Sequence, residues 1–215
     1  MPVEQTLVCG SQAKDWTTLR AMFGKLVVQD LSCYNIAMRP NYKPKFTNRP
    51  KHFQQNNSFY FFTVRTINGQ WFLQPDAYKQ ILLKILQEKA KKFKYSLISY
   101  VILNNHYHLI LEITNAKTIP KFIGEINGAS ARAINIADSV IERKIWWNYY
   151  DHVIRDEADF FKHLNYLHQN PVKHGMTKNF SYPFSSFGAW VRKRGREYLD
   201  DALAKYPVVD FLDDL

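Results

Sequence analysis

An α+β domain built on an antiparallel sheet is the fold class this sequence predicts. Three observations predict it. Aromatic and β-branched runs recur at 59–65, 95–103, 106–113 and 146–153. Apolar residues at helical spacing fill two of the gaps between them, and Asn68-Gly69 and Asn104-Asn105 stand where the chain must turn. A chain of 215 residues, 46% hydrophobic and 22% charged, has the length for one ordinary domain with an extension.

Residues 1–50 read as an N-terminal extension of unassigned function. It holds a helix from about Trp16 to Gln29, with Leu19, Met22, Phe23 and Leu26 on one side, and then a basic, proline-punctuated arm over 39–52. The main domain is expected at 51–190. Its first strand, 59–65, leads through Asn68-Gly69 to a helix that Asp76 is expected to cap and that runs to about Phe93, with Ile81, Leu82, Ile85 and Leu86 along one side. Strands at 95–103 and 106–113 form a hairpin across Asn104-Asn105. Pro120 fits the first turn of a helix reaching about Ala137. A strand at 146–153 follows, and Asp156 caps a last clear helix, expected to stop near Asn170 because Pro171 disfavours helical backbone before it. Residues 191–215 read as a basic and then acidic tail. The resulting βαββαβ order predicts the ferredoxin-like plan, with helices packed on one face of the sheet and a terminal helix added.

The charge narrows the partner. Lys and Arg number 29 against 19 Asp and Glu, a formal net charge of +10, which favours a polyanion, nucleic acid above all. Basic residues cluster at 39–45, at 89–94 and at Arg192, Lys193, Arg194 and Arg196, while acid collects at 210–215. No apolar run approaches the roughly 20 residues of a membrane span. The start, Met1 to Thr6, lacks the pattern of a secretory leader. Two cysteines, Cys9 and Cys33, fit reduced thiols in a cytoplasmic protein, here expected to be nucleoid-associated.

His106 and His108 are two apart on a strand, so their imidazoles project to the same side. That spacing suits half of a divalent-metal site, and it suits equally a pair of polar histidines at a strand end. Tyr166 and Asn170, four apart, share a helix face. An amide oxygen is a hard ligand suited to Mg²⁺ or Mn²⁺, and a tyrosine one turn away is a nucleophile in need of activation. The residues around these positions carry a resemblance. The stretches 100–112, around Asn105-His106-Tyr107-His108, 150–157, 163–175, around Tyr166-Leu167-His168-Gln169-Asn170-Pro171, and 182–187 resemble, in this order, the REP-associated tyrosine transposases of bacteria, within the single-tyrosine HUH transposases. Residues 1–45 have no counterpart in it.

The resemblance implies a ferredoxin-like catalytic domain that cleaves and rejoins single-stranded DNA next to a hairpin through a 5′-phosphotyrosine intermediate. Position by position it implies Tyr166 as nucleophile, His106 and His108 as metal ligands and Asn170 completing the site for Mg²⁺ or Mn²⁺. His163 stands as a general base, a second-shell partner or a surface residue, Glu112 as a second-shell partner or a solvated strand end, and His168 on the far side of its helix. Lys121, Arg132, Arg192, Lys193, Arg194 and Arg196 are expected to contact phosphates. Trp146, Trp147 and Trp190 are candidates to stack on unpaired bases, with at least two of them expected in the core. The partner is single-stranded DNA with a REP-like hairpin, and the protein a monomer or homodimer that has no membrane partner. A silent hairpin-binding protein, domesticated for repeat regulation, and a hydrolytic nuclease are the alternatives.

Overall fold

Strand β1 (Ser58–Thr66) is the axis of the fold: it pairs antiparallel with β3 (His106–Ile113) on one side and with β4 (Trp146–Val153) on the other. Strand β2 (Ser96–Ile102) pairs antiparallel with the outer edge of β3, giving the order β2-β3-β1-β4. Helix α1 (Asp76–Phe93) crosses from β1 to β2 and helix α2 (Ile119–Ala137) from β3 to β4, so the ferredoxin-like plan holds. In a computed structural model, residues 54–208 are described; the expected helix at 16–29, the arm at 39–52 and the acidic stretch at 210–215 lie outside the described residues.

The two faces of the sheet are covered by different helices. Tyr60, Phe62 and Val64 of β1 and Tyr107, Leu109 and Leu111 of β3 join Leu82 and Leu86 of α1 and Phe122, Ile123 and Ile126 of α2 in the main core. Each such side chain contributes about 1.5–3 kcal/mol when fully buried. The alternate residues Phe59, Phe61, Thr63, His106, His108 and Ile110 face the other way. There they meet helix α3 (Glu157–Lys173), as the contact of Phe59 with Phe160 shows, ring centroids 5.7 Å apart. The helices expected on one face are α1 and α2, and the terminal helix takes the opposite face. Strand β3 announces this: seven of its eight residues are buried, which a sheet with one wet face does not produce.

Three boundaries differ from expectation. Helix α3 runs through Pro171 to Lys173, because a proline this close to the end costs little of the ladder: His174 N–H bonds to Asn170 O at 3.0 Å and Met176 N–H to Pro171 O at 2.9 Å. Pro75, not Asp76, is the cap residue of α1; Asp76 is its first helical residue and pairs with Lys79 Nζ at 2.9 Å. Residues 191–208 are not a tail. They complete helix α4 (Phe187–Arg194) and form helix α5 (Arg196–Lys205), which docks on α3: Asn165 Nδ2 donates to Ala202 O (3.2 Å) and Tyr206 O (2.8 Å), and Tyr206 stacks on Phe161 at 5.4 Å. No helix among the described residues is long and apolar enough to cross a membrane.

Candidate active site

Strand β3 presents His106 and His108 side by side, ring centroids 4.9 Å apart and both buried. Each imidazole is oriented through its outer nitrogen. His106 Nδ1 lies 2.7 Å from Asn105 Oδ1; an amide oxygen only accepts, so Nδ1 carries a proton. His108 Nδ1 lies 2.9 Å from Thr63 Oγ1 on β1, the residue directly across the ladder. Burial holds the His108 imidazole well below the ordinary histidine range, reinforced by His106, Arg65 and His174, so it is the neutral form that faces the site.

Helix α3 brings the second half. Asn170 Oδ1 is 3.3 Å from His106 Nε2, so an amide oxygen meets the second imidazole nitrogen in a buried setting. Nearby, His108 Nε2 and Asn170 Nδ2 are buried and have no hydrogen-bond partner. Orphaned buried polar atoms cost about 1–3 kcal/mol each, and here they converge from two elements of the fold. Two imidazoles, each held from behind, and an amide oxygen are a donor set that a divalent cation satisfies. Tyr166, one turn before Asn170 and 1% exposed, packs edge-on against His108 at 5.3 Å and against Phe61 at 6.1 Å. The tyrosine therefore sits beside the histidines of its own chain. Lys173 Nζ lies 5.7 Å from the centre of its ring.

A family model described as transposase IS200-like matches residues 54–170, the stretch that carries all of these side chains except Lys173 and His174. The chain belongs to the IS200-like transposase family. A REP-associated tyrosine transposase of Escherichia coli is 28% identical over 131 residues, 60% of this chain and 75% of that one. The solved structure of a REP-associated tyrosine transposase bound to a REP hairpin matches with a TM-score of 0.59 at 26% identity, covering 69% of this chain and 87% of the other. Tyrosine transposases are DNA strand transferases, and this chain is one by family, with the α+β architecture they share.

Within this IS200-like transposase the expected site residues separate. His106, His108, Tyr166 and Asn170 come together. Glu112 does not join them: it faces the same way as His108 but four positions on, about 13 Å along the strand. There it pairs with Phe59 and Ser96, and burial raises its carboxyl pKa. His163 is not a surface residue; it is buried one turn before Tyr166, 4.7 Å from the Phe61 ring. Its Nδ1 lies 3.1 Å from Asp159 Oδ1, and His152 Nε2 lies 2.9 Å from Asp159 Oδ2. His152, Asp159 and His163 thus form a second group of possible metal ligands, their atoms within 4.8 Å of one another. This group differs from the first. Arg155 also bonds the Asp159 carboxylate, through Nε at 3.1 Å, and hydrogen bonds to the carboxylate outweigh burial to hold its pKa well below the usual range. His168 points away from Tyr166, toward Ser99 and Ser186, each 3.3 Å from its Nε2.

Of the basic candidates, Lys121 and Arg132 are exposed on α2, the layer across the sheet from Tyr166. Arg192, Lys193 and Arg194 end α4; Arg194 lies over Tyr198, while Arg196 starts α5, bonded to Asp200 and set against Phe180 and Phe187. Sequence reasoning missed Asn105, Thr63, Phe61, Asp159 and Lys173. Two had a signal: Asn105 adjoins His106, and Lys173 is seven residues after Tyr166, on the same helix face. Thr63 and Phe61 reach the site only through strand pairing.

Proposed function

We propose that this transposase cleaves and rejoins single-stranded DNA at hairpin-flanked, REP-like sequences through a covalent 5′-phosphotyrosine intermediate on Tyr166. What carries the reading is the approach of Tyr166 to His108, at 5.3 Å, beside His106 and Asn170, whose Nε2 and Oδ1 are 3.3 Å apart. The Tyr166 hydroxyl gives up its proton to solvent as its oxygen attacks the phosphorus, and the bond from phosphorus to the 3′ oxygen breaks. That oxygen takes a proton from solvent and leaves as a 3′-OH, with no net change in protons. The reverse step rejoins strands. His106, His108 and Asn170 would hold Mg²⁺ or Mn²⁺, which when bound neutralises charge on the phosphate. Phe61 and His108, stacked on each other, both meet the tyrosine ring edge-on, and the Lys173 ammonium 5.7 Å from the ring centre would favour negative charge on the phenol. Arg192, Lys193 and Arg194, with Lys121, Arg132 and Arg196 on other surfaces, would hold DNA phosphates without reading sequence. The REP-like hairpin partner is supported by the relative solved with a REP hairpin.

The test is a labelled single-stranded hairpin oligonucleotide incubated with the full chain and Mn²⁺ or Mg²⁺. An SDS-resistant protein–DNA band that disappears in Tyr166→Phe is the expected result. Equal adduct in that variant overturns the assignment of the nucleophile, and cleaved product with no adduct favours hydrolysis by water.

A further inference from the structure

Three of the four tryptophans among the described residues lie close to the sheet, and they have different fates. Trp146 and Trp190 are 6% and 7% exposed, and their indole N–H groups bond Ser130 Oγ at 2.9 Å and Ile98 O at 3.3 Å. Trp147 is 59% exposed, with the ammonium of Lys144 4.7 Å from its ring centre. Leaving an indole in water forgoes the favourable burial of a large apolar ring. An isolated exposed aromatic needs no explanation, so its position has to decide.

That position is specific. The ladder between β1 and β4 shifts register between Val64, opposite Tyr149, and Thr66, opposite Trp146, which leaves Trp147 and Asn148 facing Arg65. Arg65 is in turn directly opposite His106. The bulge thus ends a row His106, Arg65, Trp147 across three adjacent strands, about 10 Å from first to last. Trp146 packs into the core beneath α2, so its neighbour Trp147 projects from the opposite side of β4, the side that carries the histidines. Bulges re-aim side chains beside active sites, and this one sets a flat aromatic surface a few nucleotides' reach from the metal-binding residues.

We propose that Trp147 and Lys144 form a base-stacking subsite for the unpaired strand: the indole stacks on a base next to the phosphate bound at His106 and His108, and Lys144 meets the backbone phosphate beside it. The inference rests on the DNA-cleavage reading above and adds the substrate feature read at this end of the sheet. The occupant is single-stranded nucleic acid because the row is aromatic and cationic, on a chain of net charge +10. A base paired in a duplex has no free face to offer, whereas every unpaired base has one.

The experiment uses the full chain and three fluorescein-labelled DNA hairpins: one blunt, one with a short oligothymidine flank, and one with an abasic flank of the same length and charge. Wild type is expected to bind the thymidine flank about five- to hundredfold more tightly than the abasic flank, the range expected for stacking one base. Trp147→Ala is expected to abolish that ratio and leave blunt-hairpin binding unchanged, Trp147→Phe to keep most of it, and Lys144→Ala to weaken both flanked hairpins alike. A Trp147→Ala protein that keeps the wild-type ratio overturns the subsite and leaves the cleavage reading intact. Wild type that binds none of the hairpins overturns both.

Discussion

Thr63 Oγ1 lies 2.9 Å from His108 Nδ1, and the two residues are direct partners across the β1–β3 ladder. The contact fixes the imidazole so that Nε2, buried and without a partner, is aimed at the gap that Asn170 closes. Partners behind a metal-ligating histidine are typically worth ten- to hundredfold in affinity. Thr63→Val keeps the shape and removes the hydroxyl. It is expected to weaken Mn²⁺ binding by about that factor, measured by titration calorimetry, with unchanged affinity for a blunt DNA hairpin. Unaltered Mn²⁺ affinity would contradict the role assigned to Thr63.

A cation that satisfies His106, His108 and Asn170 binds the folded chain and not the unfolded one. Mn²⁺ at a hundred times its dissociation constant is therefore expected to stabilise the protein by about 2.7 kcal/mol. Thermal melts with and without Mn²⁺ read this as a shift in Tm. The shift should vanish in His108→Ala and in Asn170→Ala and persist in Tyr166→Phe. A shift that survives His108→Ala moves the metal elsewhere.

The strands were legible because each side chain that faces a core also betrays its period, as Tyr60, Phe62 and Val64 do. The histidine pair and the Tyr166–Asn170 pair were legible because both spacings lie within a single element. What the sequence hid depends on contacts between elements. Nothing local says that Thr63 stands opposite His108, or that Asp159 collects His152 from β4 and His163 from its own helix. The boundary at Pro171 misled because the proline rule describes a local bias, and a proline this near the helix end leaves the His174–Asn170 and Met176–Pro171 backbone bonds in place.

Lys173 supplies the next prediction. Its ammonium is 5.7 Å from the Tyr166 ring centre, close enough to favour negative charge forming on the phenol. Lys173→Met keeps the aliphatic stem and removes the charge. Adduct formation under single-turnover conditions is expected to slow about tenfold, or roughly 1.4 kcal/mol, with hairpin affinity changed little. An unchanged rate would leave Lys173 a packing residue.

Acid should expose His168. Burial against Ser99, Ser186, Phe187 and Trp190 pushes its pKa down to about 3, against about 6.5 in an unfolded chain. Between those values the unfolded state binds a proton that the folded state refuses. Stability is thus fully present above pH ~6.5 and falls as pH drops toward 3, by about 1.4 kcal/mol per pH unit from this one group. His168→Gln retains a polar partner for the serines and cannot titrate. Its urea midpoint is expected to vary less steeply than wild type between pH 6.5 and 5; parallel curves would assign the acid sensitivity to other groups.

Asp159 separates two readings of the cluster it forms with His152 and His163. One is a cation site, since the three ligand atoms lie within 4.8 Å. The other is an anchor that ties the first turn of α3 to β4 and so holds the helix that carries Tyr166. The second is favoured by Arg155, whose Nε and backbone N–H both bond Asp159 Oδ2 at 3.1 Å, leaving the carboxylate fully engaged without a metal. Its depressed pKa gives a matching sign: the stabilisation is present above about pH 3.9, the unfolded value, and is lost only as pH falls below it, well apart from the His168 range. Asp159→Asn keeps the size and removes the charge, at an expected cost of about 1.5–3 kcal/mol for charged hydrogen bonds. For an anchor, that loss is the same with EDTA as with Mn²⁺ or Zn²⁺, and the calorimetric stoichiometry of the variant equals that of wild type. A cation site predicts instead that EDTA alone reproduces the loss in wild type and that Asp159→Asn binds one ion fewer, an outcome that would replace the anchor with a second metal.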